Sequence, residues 1–299
     1  MGTGGRVLGT ILLLITAIVL SSGCVIPGFG ITPVTGNGVI ITEWKPDFPK
    51  VYSGEKVTFY ANVNNAGSFD AMNVHFQLFD LDGWDEIEPV GFDCQSSGTS
   101  LLAANPQYGT RGEEKTCSWT AVSPSIERGL HMVYSPKVMV CYDYLSTATL
   151  RTPSISRAEL KRLQDAGDGL PSQGTMSSGS PLSVSASTPS PIIMTASHVT
   201  FPVKISVTNG GGGMFCIAGE KSTCTNSDKM NKVTLDVISS TAIVVDCPDE
   251  LVFLGNKGEV TCDLRIISGA DTLVENDIDI SARYRYCVDA STSIEVQGM

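Results

Sequence analysis

Three cysteine-bearing segments occur in the same order in each half of this 299-residue chain. In chain order they are FDC at Cys94, GEEKTC at Cys117, VMVCYDY at Cys141, then VDC at Cys247, GEVTC at Cys262 and YRYCVDA at Cys287. The spacing from the second cysteine to the third differs by only one position between the halves. Self-similarity of this kind indicates two copies of one structural unit rather than two unrelated domains.

Both copies have the pattern of β-strands. Apolar and polar residues alternate along EKVTFYANVNN, residues 55–65, and again along FPVKISVTN, residues 201–209. A period of two is typical of strands with one buried face. Short strands separated by turn residues over about 100 residues predict an all-β fold, with one immunoglobulin-like antiparallel β-sandwich in each copy.

The length of the chain fits two domains of ordinary size. The predicted boundaries are a signal or anchor at 1–24, a tether at 25–38, domain 1 at 39–152, a helix and linker at 153–181, and domain 2 at 182–299. Ser156 as N-cap with Glu159 as its capping-box partner predicts the start of the linker helix, and Gly167 predicts its end. The following Ser, Gly and Pro residues predict a flexible linker and two domains that behave independently.

The N-terminal segment that ends at Cys24 has the pattern of an export signal. Arg6 precedes the apolar stretch 7–20, and the small residues SSG then lead to Cys24. The junction resembles the lipobox of prokaryotic lipoproteins, which implies cleavage before Cys24 and a lipid anchor on its thiol. An uncleaved anchor helix over residues 7–26 is an open alternative, because about 20 apolar residues span a bilayer. A pilin-type signal is a third. The first two place the remaining chain outside the membrane.

Charge and motifs exclude several classes of function. The 31 acidic and 20 basic residues give a net charge of −11, which argues against a nucleic-acid partner because phosphate binding needs a basic surface. The sequence has no GxSxG, HExxH, phosphate-loop or dinucleotide motif. It has no CxxC, and its three histidines are scattered. We therefore predict a non-catalytic protein without a metal or cofactor.

Apart from Cys24, eight cysteines remain, and an even number in an exported chain predicts disulfides. Sequence alone leaves 105 pairings open. Proximity favours three bridges, which are Cys94–Cys117, Cys216–Cys224 and Cys247–Cys262. Cys141 and Cys287 are left over at equivalent strand positions, and we expect them to be buried free thiols rather than an interdomain bridge.

One acidic constellation stands out, in FDLDGWDEIE at residues 79–88. Its members are Asp80, Asp82, Trp84, Asp85 and Glu86. Clustered carboxylates can bind Ca²⁺, but the spacing departs from an EF-hand loop, so a solvated hairpin tip is the favoured interpretation. Trp84 could be a contact for a partner, but a Trp folded back onto the sandwich is the commoner outcome and the favoured interpretation.

The segment GEKVTFYANVNNAGSFDAMNVHFQLFD, residues 54–80, resembles the CARDB-type, S-layer-associated Ig-like modules of archaeal and other prokaryotic surface lipoproteins. The shared features are a Gly-Glu turn, an alternating strand, an Asn-x-Gly turn and a second alternating strand. The second copy keeps Asn209 and Gly210 but inserts glycines and a cysteine-bounded loop.

That resemblance implies a module for adhesion or scaffolding in the cell envelope. We expect a membrane-anchored, extracytoplasmic cell-surface protein that binds a protein, an envelope polymer or its own copies. The alternative is a subunit of an extracellular filament or pilus assembled by strand addition.

Overall fold

A computed structural model describes residues 38–90, 94, 99–105, 108–169, 172–195, 198–219, 224–267 and 272–299. The predicted signal, Cys24 and the tether up to residue 37 lie outside the described residues. Within the described ranges, no helix is both long enough and apolar enough to cross a membrane.

The described chain is almost entirely β-structure, which confirms the predicted fold class. The strands of the first copy are β1 (Val39–Pro46), β2 (Lys50–Tyr52), β3 (Lys56–Asn65), β4 (Ala71–Phe79), β5 (Asp85–Val90), β6 (Thr99–Leu101), β7 (Glu114–Val122), β8 (His131–Tyr134) and β9 (Lys137–Ser156). The helix α1 (Arg157–Ala166) and β10 (Gly174–Ser177) follow. The strands of the second copy are β11 (Leu182–Ser187), β12 (Ile192–Met194), β13 (Val199–Asn209), β14 (Met214–Cys216), β15 (Lys232–Ser239), β16 (Ala242–Asp246), β17 (Glu250–Val252), β18 (Lys257–Ile266), β19 (Val274–Ser291) and β20 (Ile294–Gln297).

The sheet topology repeats between the copies. The four-stranded sheets β1-β3-β7-β5 and β11-β13-β18-β16 connect corresponding strands in the same order. Both copies contribute to a nine-stranded sheet, ordered β17-β15-β19-β9-β4-β6 with β10, β12 and β14 beside this path. The predicted alternation holds in both copies, because Val57, Phe59 and Val63 in β3 and Val203 and Ile205 in β13 are buried. Their polar neighbours face outward, so each four-stranded sheet covers one side of the core.

The two long strands β9 and β19 connect the copies. The 18 residues of β19 pair antiparallel with β9, from Ser291 opposite Lys137 to Val274 opposite Ser154. β9 begins beside β4 of the first copy and ends beside β12 of the second. β19 begins beside β15 of the second copy, and the chain then continues into β20, which lies between β2 and β8 of the first.

Residues 35–299 accordingly form one compact unit. The expectation of two independently behaving domains is wrong, because each copy supplies a strand to the other and the two share one sheet.

The interdomain segment is only partly a linker. Helix α1 starts as predicted, with the hydroxyl of Ser156 accepting a hydrogen bond from the N–H of Glu159 at 3.2 Å, and it ends at Gly167 in the left-handed conformation with φ 73°. The flexible linker expected after it is incorrect for residues 174–177, since β10 pairs with Ala148–Arg151 of β9. Pairing satisfies backbone groups that β9 would otherwise leave open beyond the end of β4.

Limited trypsin digestion is expected to cut first in α1, which has no buried residue and carries Arg157, Lys161 and Arg162. The two fragments should stay together in native buffer even after reduction of the disulfides, because the β9–β19 ladder joins them. Size-exclusion chromatography of the reduced digest measures this. Separate elution of the fragments, or first cleavage inside a four-stranded sheet, would contradict the interlocked arrangement.

Candidate functional site

Four buried tyrosines occupy the middle of the β9–β19 ladder, where Tyr142 lies opposite Tyr286 and Tyr144 lies opposite Tyr284. Each hydroxyl accepts a hydrogen bond from a backbone N–H. The donors to Tyr142, Tyr144, Tyr284 and Tyr286 are Val39, Phe69, Leu182 and Gly213, at 3.0, 3.2, 3.3 and 2.8 Å. In each copy, one tyrosine therefore binds the first residue of the four-stranded sheet, at β1 or β11. A second tyrosine binds the turn that follows β3 or β13.

These tyrosines make the fold sensitive to alkali. Burial, the largest cause, raises the pKa of Tyr144 and Tyr286 to about 12 and raises those of Tyr142 and Tyr284 further. In the unfolded chain a tyrosine ionises near pH 10, so the unfolded state loses protons first as the pH rises. The protonated, buried tyrosines stabilise the folded state fully below about pH 10, and this contribution is lost as the pH approaches 12.

We therefore expect the urea concentration at the unfolding midpoint to fall steeply between about pH 10 and 12. Tyr144→Phe removes one of the buried groups that titrate, so the midpoint of this variant should fall less steeply with pH. Tyr108→Phe is the control, because Tyr108 is 81% exposed and should leave the slope unchanged. A midpoint that does not depend on pH in this range would contradict the assignment.

A buried ion pair lies on the opposite face of the same ladder. Arg285 is 1% exposed, and its Nη1 lies 2.9 Å from Oδ1 of Asp143. The carbonyl oxygen of Asn73 accepts from the guanidinium at 3.4 Å, and Nδ2 of Asn73 donates to Asp143 at 2.7 Å. Burial, followed by the charge of Arg285, lowers the pKa of the neighbouring His75, which is partly buried.

Four disulfides are present among the described residues. Three are the bridges favoured by proximity in the sequence, namely Cys94–Cys117, Cys216–Cys224 and Cys247–Cys262. The fourth joins Cys141 to Cys287, so the expectation of two free thiols is wrong. These two cysteines lie directly opposite each other in the β9–β19 ladder, with 4.1 Å between their Cα atoms. The bridges indicate an oxidising, extracytoplasmic environment.

The carboxylates of the acidic turn at residues 79–88 lie at the surface, whereas its Trp84 does not. Trp84 is 6% exposed and packs edge-on against Phe59 and Tyr134, with ring centroids 5.4 and 5.8 Å apart. It therefore points into the core and is no surface contact for a partner. Asp80 pairs with Lys137 at 2.7 Å. The other three carboxylates, on Asp82, Asp85 and Glu86, are exposed. Nowhere in the described ranges do three or more His, Cys, Asp or Glu side chains form a group suited to a metal ion.

Within the described ranges, the edge strand β16 pairs only with β18. Two of its exposed side chains are aliphatic, Ile243 at 53% and Val245 at 47%, and the third belongs to Asp246 at its end. The corresponding edge strand β5 carries Glu86, Glu88 and Pro89 and has a bulge. Charges, proline and bulges protect sheet edges from pairing. β16 has a bulge before Asp246 but neither charge nor proline in its first four residues.

Two cavities flank this edge and share Ile243 and Ile267 in their walls. The larger, of about 500 Å³, is also lined by Ser154, Ser239, Ala242, Ile266, Val274 and Asn276. The smaller, of about 280 Å³, is completed by His198, Val245 and Arg265. The walls of both cavities mix aliphatic and polar side chains. A strand edge beside such concave surfaces is an arrangement that can bind an extended peptide. Sequence reasoning missed it because edge position depends on which strands pair.

No family model and no curated protein matches the sequence. Among solved structures, the secreted serine protease VesC from Vibrio cholerae aligns over 86% of this chain and 51% of its own, with 11% identity and a TM-score of 0.17. The collagen binding domain of the Erysipelothrix rhusiopathiae surface protein RspB aligns over 88% of this chain and 97% of its own, with 10% identity and a TM-score of 0.13. Similarities this weak carry no argument about function.

Proposed function

We propose that the chain is a non-catalytic, membrane-anchored protein of the cell surface, where it serves adhesion or envelope scaffolding by binding a protein or polymer. The observation that carries this proposal is the interlocking of the two copies through the 18-residue β19, which pairs with β9 and is bridged to it by Cys141–Cys287. Strand exchange and the bridge hold the two sandwiches as one unit, as a load-resisting surface scaffold requires.

The attachment point supports the same function. Gly38, the first described residue, lies at the crossing of the two copies, where its carbonyl accepts from the N–H of Ala66 at 2.8 Å and Val39 bonds to Tyr142. A tether ending there would leave the far ends of both copies free to contact partners. The anchor itself would be a lipid on Cys24 or the apolar N-terminal segment.

The proposal is tested on intact cells. External protease should remove the protein from the surface, and Cys24→Ser should release it into the medium or leave the precursor uncleaved. Ser22→Ala, next to the junction, is the matched control and should leave anchoring unchanged. Protection from external protease would contradict the surface location, and an intact mass that retains residues 1–23 without lipid would contradict the lipid anchor.

We propose as a second candidate that the chain is a subunit of an extracellular filament assembled by strand addition. The free aliphatic edge of β16, flanked by two cavities, is the specific observation that favours it. Negative-stain electron microscopy of the oxidised, full-length protein should show filaments that lengthen with concentration. Particles that stay single at every concentration would contradict this candidate.

A further inference from the structure

We propose that β16 of one molecule receives residues 25–35 of a second copy as an added β-strand. This inference rests on the filament candidate above and names its donor segment, which lies outside the described residues.

The acceptor is one of the four strands that end the two four-stranded sheets. β1 carries Glu43, Lys45 and a bulge, and β5 is charged. The edge of β11 is contacted by β10, where the hydroxyl of Thr175 donates to the carbonyl of Ala186 at 2.6 Å. β16 has a bulge before Asp246, but its first four residues carry no charge or proline, and no described strand other than β18 pairs with it.

The donor has the pattern that such an edge requires. Residues 25–35, VIPGFGITPVT, carry no charged side chain in a chain of net charge −11. The odd-numbered residues up to 33 are all apolar, namely Val25, Pro27, Phe29, Ile31 and Pro33. Alternate residues of a strand point to opposite faces, so these would form one face. We place that face against the larger of the two cavities.

The prolines also fit an added strand. In a two-stranded pairing, alternate residues direct their backbone groups to the partner, and the residues between them direct theirs away. Pro27 and Pro33 share the same parity, so neither missing N–H falls on the side that pairs with β16 if the even-numbered residues bond. Gly28 and Gly30 would then form backbone hydrogen bonds with β16, and they have no side chains that could collide with it.

The length of the chain between the donor segment and Gly38 indicates that the donor belongs to a second copy. Gly38 lies beside Tyr142, whereas the larger cavity contains Ser154, near the opposite end of β9. The path along β9 from Tyr142 to Ser154 is about 40 Å at the rise of a strand. The stretch from Phe29 to Gly38 spans at most about 32 Å when fully extended. Phe29 of the same chain therefore falls short of its own β16.

Photo-crosslinking of the assembled full-length chain tests the pairing. Ile267, 56% exposed at the rim of both cavities, is replaced by p-benzoylphenylalanine, and unlabelled and ¹⁵N-labelled chains are mixed before irradiation. Mass spectrometry should find crosslinks to residues 25–35, half of them between differently labelled chains. The same probe at Val133, an exposed residue of the edge strand β8, is the control and should not give this product.

Each other outcome is decisive. Filaments in which Ile267 crosslinks to another segment would overturn the donor assignment and leave the filament candidate standing. Crosslinks to residues 25–35 only within one chain would overturn the exchange between copies. The absence of both filaments and crosslinks would overturn the donor assignment and the filament candidate together.

Matched substitutions give a second measure. Phe29→Ser with Ile31→Ser should raise the concentration needed for assembly at least about tenfold, because two large apolar side chains lose their burial. Ile26→Ser with Val34→Ser removes two apolar side chains from the other face and should leave the concentration needed for assembly nearly unchanged. On the acceptor, Ile243→Lys with Val245→Lys should block assembly, whereas Val133→Lys should not. Equal effects of the two donor variants would contradict the assignment of the odd-numbered face to the cavity. Equal effects of the lysine variants in β16 and β8 would contradict β16 as the acceptor.

Discussion

Replacement of Cys141 and Cys287 by alanine is expected to lower the free energy of unfolding by about 5 kcal/mol, the largest loss of any bridge. The reason is loop length, because these cysteines are 146 residues apart in sequence and their bridge removes the most conformational freedom from the unfolded chain. Urea denaturation of the otherwise oxidised protein, followed by circular dichroism, measures the change.

The matched control is the removal of Cys216 and Cys224, which belong to the same buried sulfur cluster but are only 8 residues apart. The chain-entropy estimate for that loop is about 2.5 kcal/mol, half of the value for the long loop. Alkylation of Cys141 or Cys287 in the unreduced protein would contradict the presence of this bridge. Equal losses of unfolding free energy for the two pairs would contradict its larger contribution to stability.

The elements that sequence predicted correctly depend on local patterns. The alternation of Val57, Phe59 and Val63 reflects one buried face of a strand, and a period of two is visible within a short window of sequence. The start of α1 depends on Ser156 and Glu159, which lie within one helical turn of each other. The repeat of the cysteine segments likewise indicated the duplicated topology that the two four-stranded sheets show.

What sequence did not predict depends on pairing over long separations. The β9–β19 ladder joins strands from opposite halves of the chain, and no local pattern states which strands will pair. A signal was nevertheless present, since both final strands are long and tyrosine-rich and both carry a cysteine. The candidate site was likewise not visible in the sequence, because it depends on which strands pair. Trp84 stood out in the sequence but is buried. Nothing in the sequence of β16 stood out, and it becomes a candidate because β18 is the one described strand that pairs with it.

Asp143→Ala is expected to lower the free energy of unfolding by about 3–5 kcal/mol, because it deprives the buried guanidinium of Arg285 of its carboxylate. The cost arises because a guanidinium held away from water loses its charged hydrogen bond with the Asp143 carboxylate, which offsets part of its desolvation. Urea denaturation at neutral pH gives the value. Asp277→Ala is the control, because the pair of Asp277 with Arg151 is exposed on both sides and should contribute little.

The double variant Asp143→Leu with Arg285→Met separates the two contributions to that loss. If the cost comes from an isolated charge, removal of both partners should restore much of the stability, since apolar side chains of similar volume can replace a buried ion pair at little cost. If the pair instead contributes through its geometry with Asn73, the double variant should be as unstable as the single one. Recovery would show that the loss in Asp143→Ala comes from the buried guanidinium losing its carboxylate and not from the hydrogen bonds of the pair with Asn73.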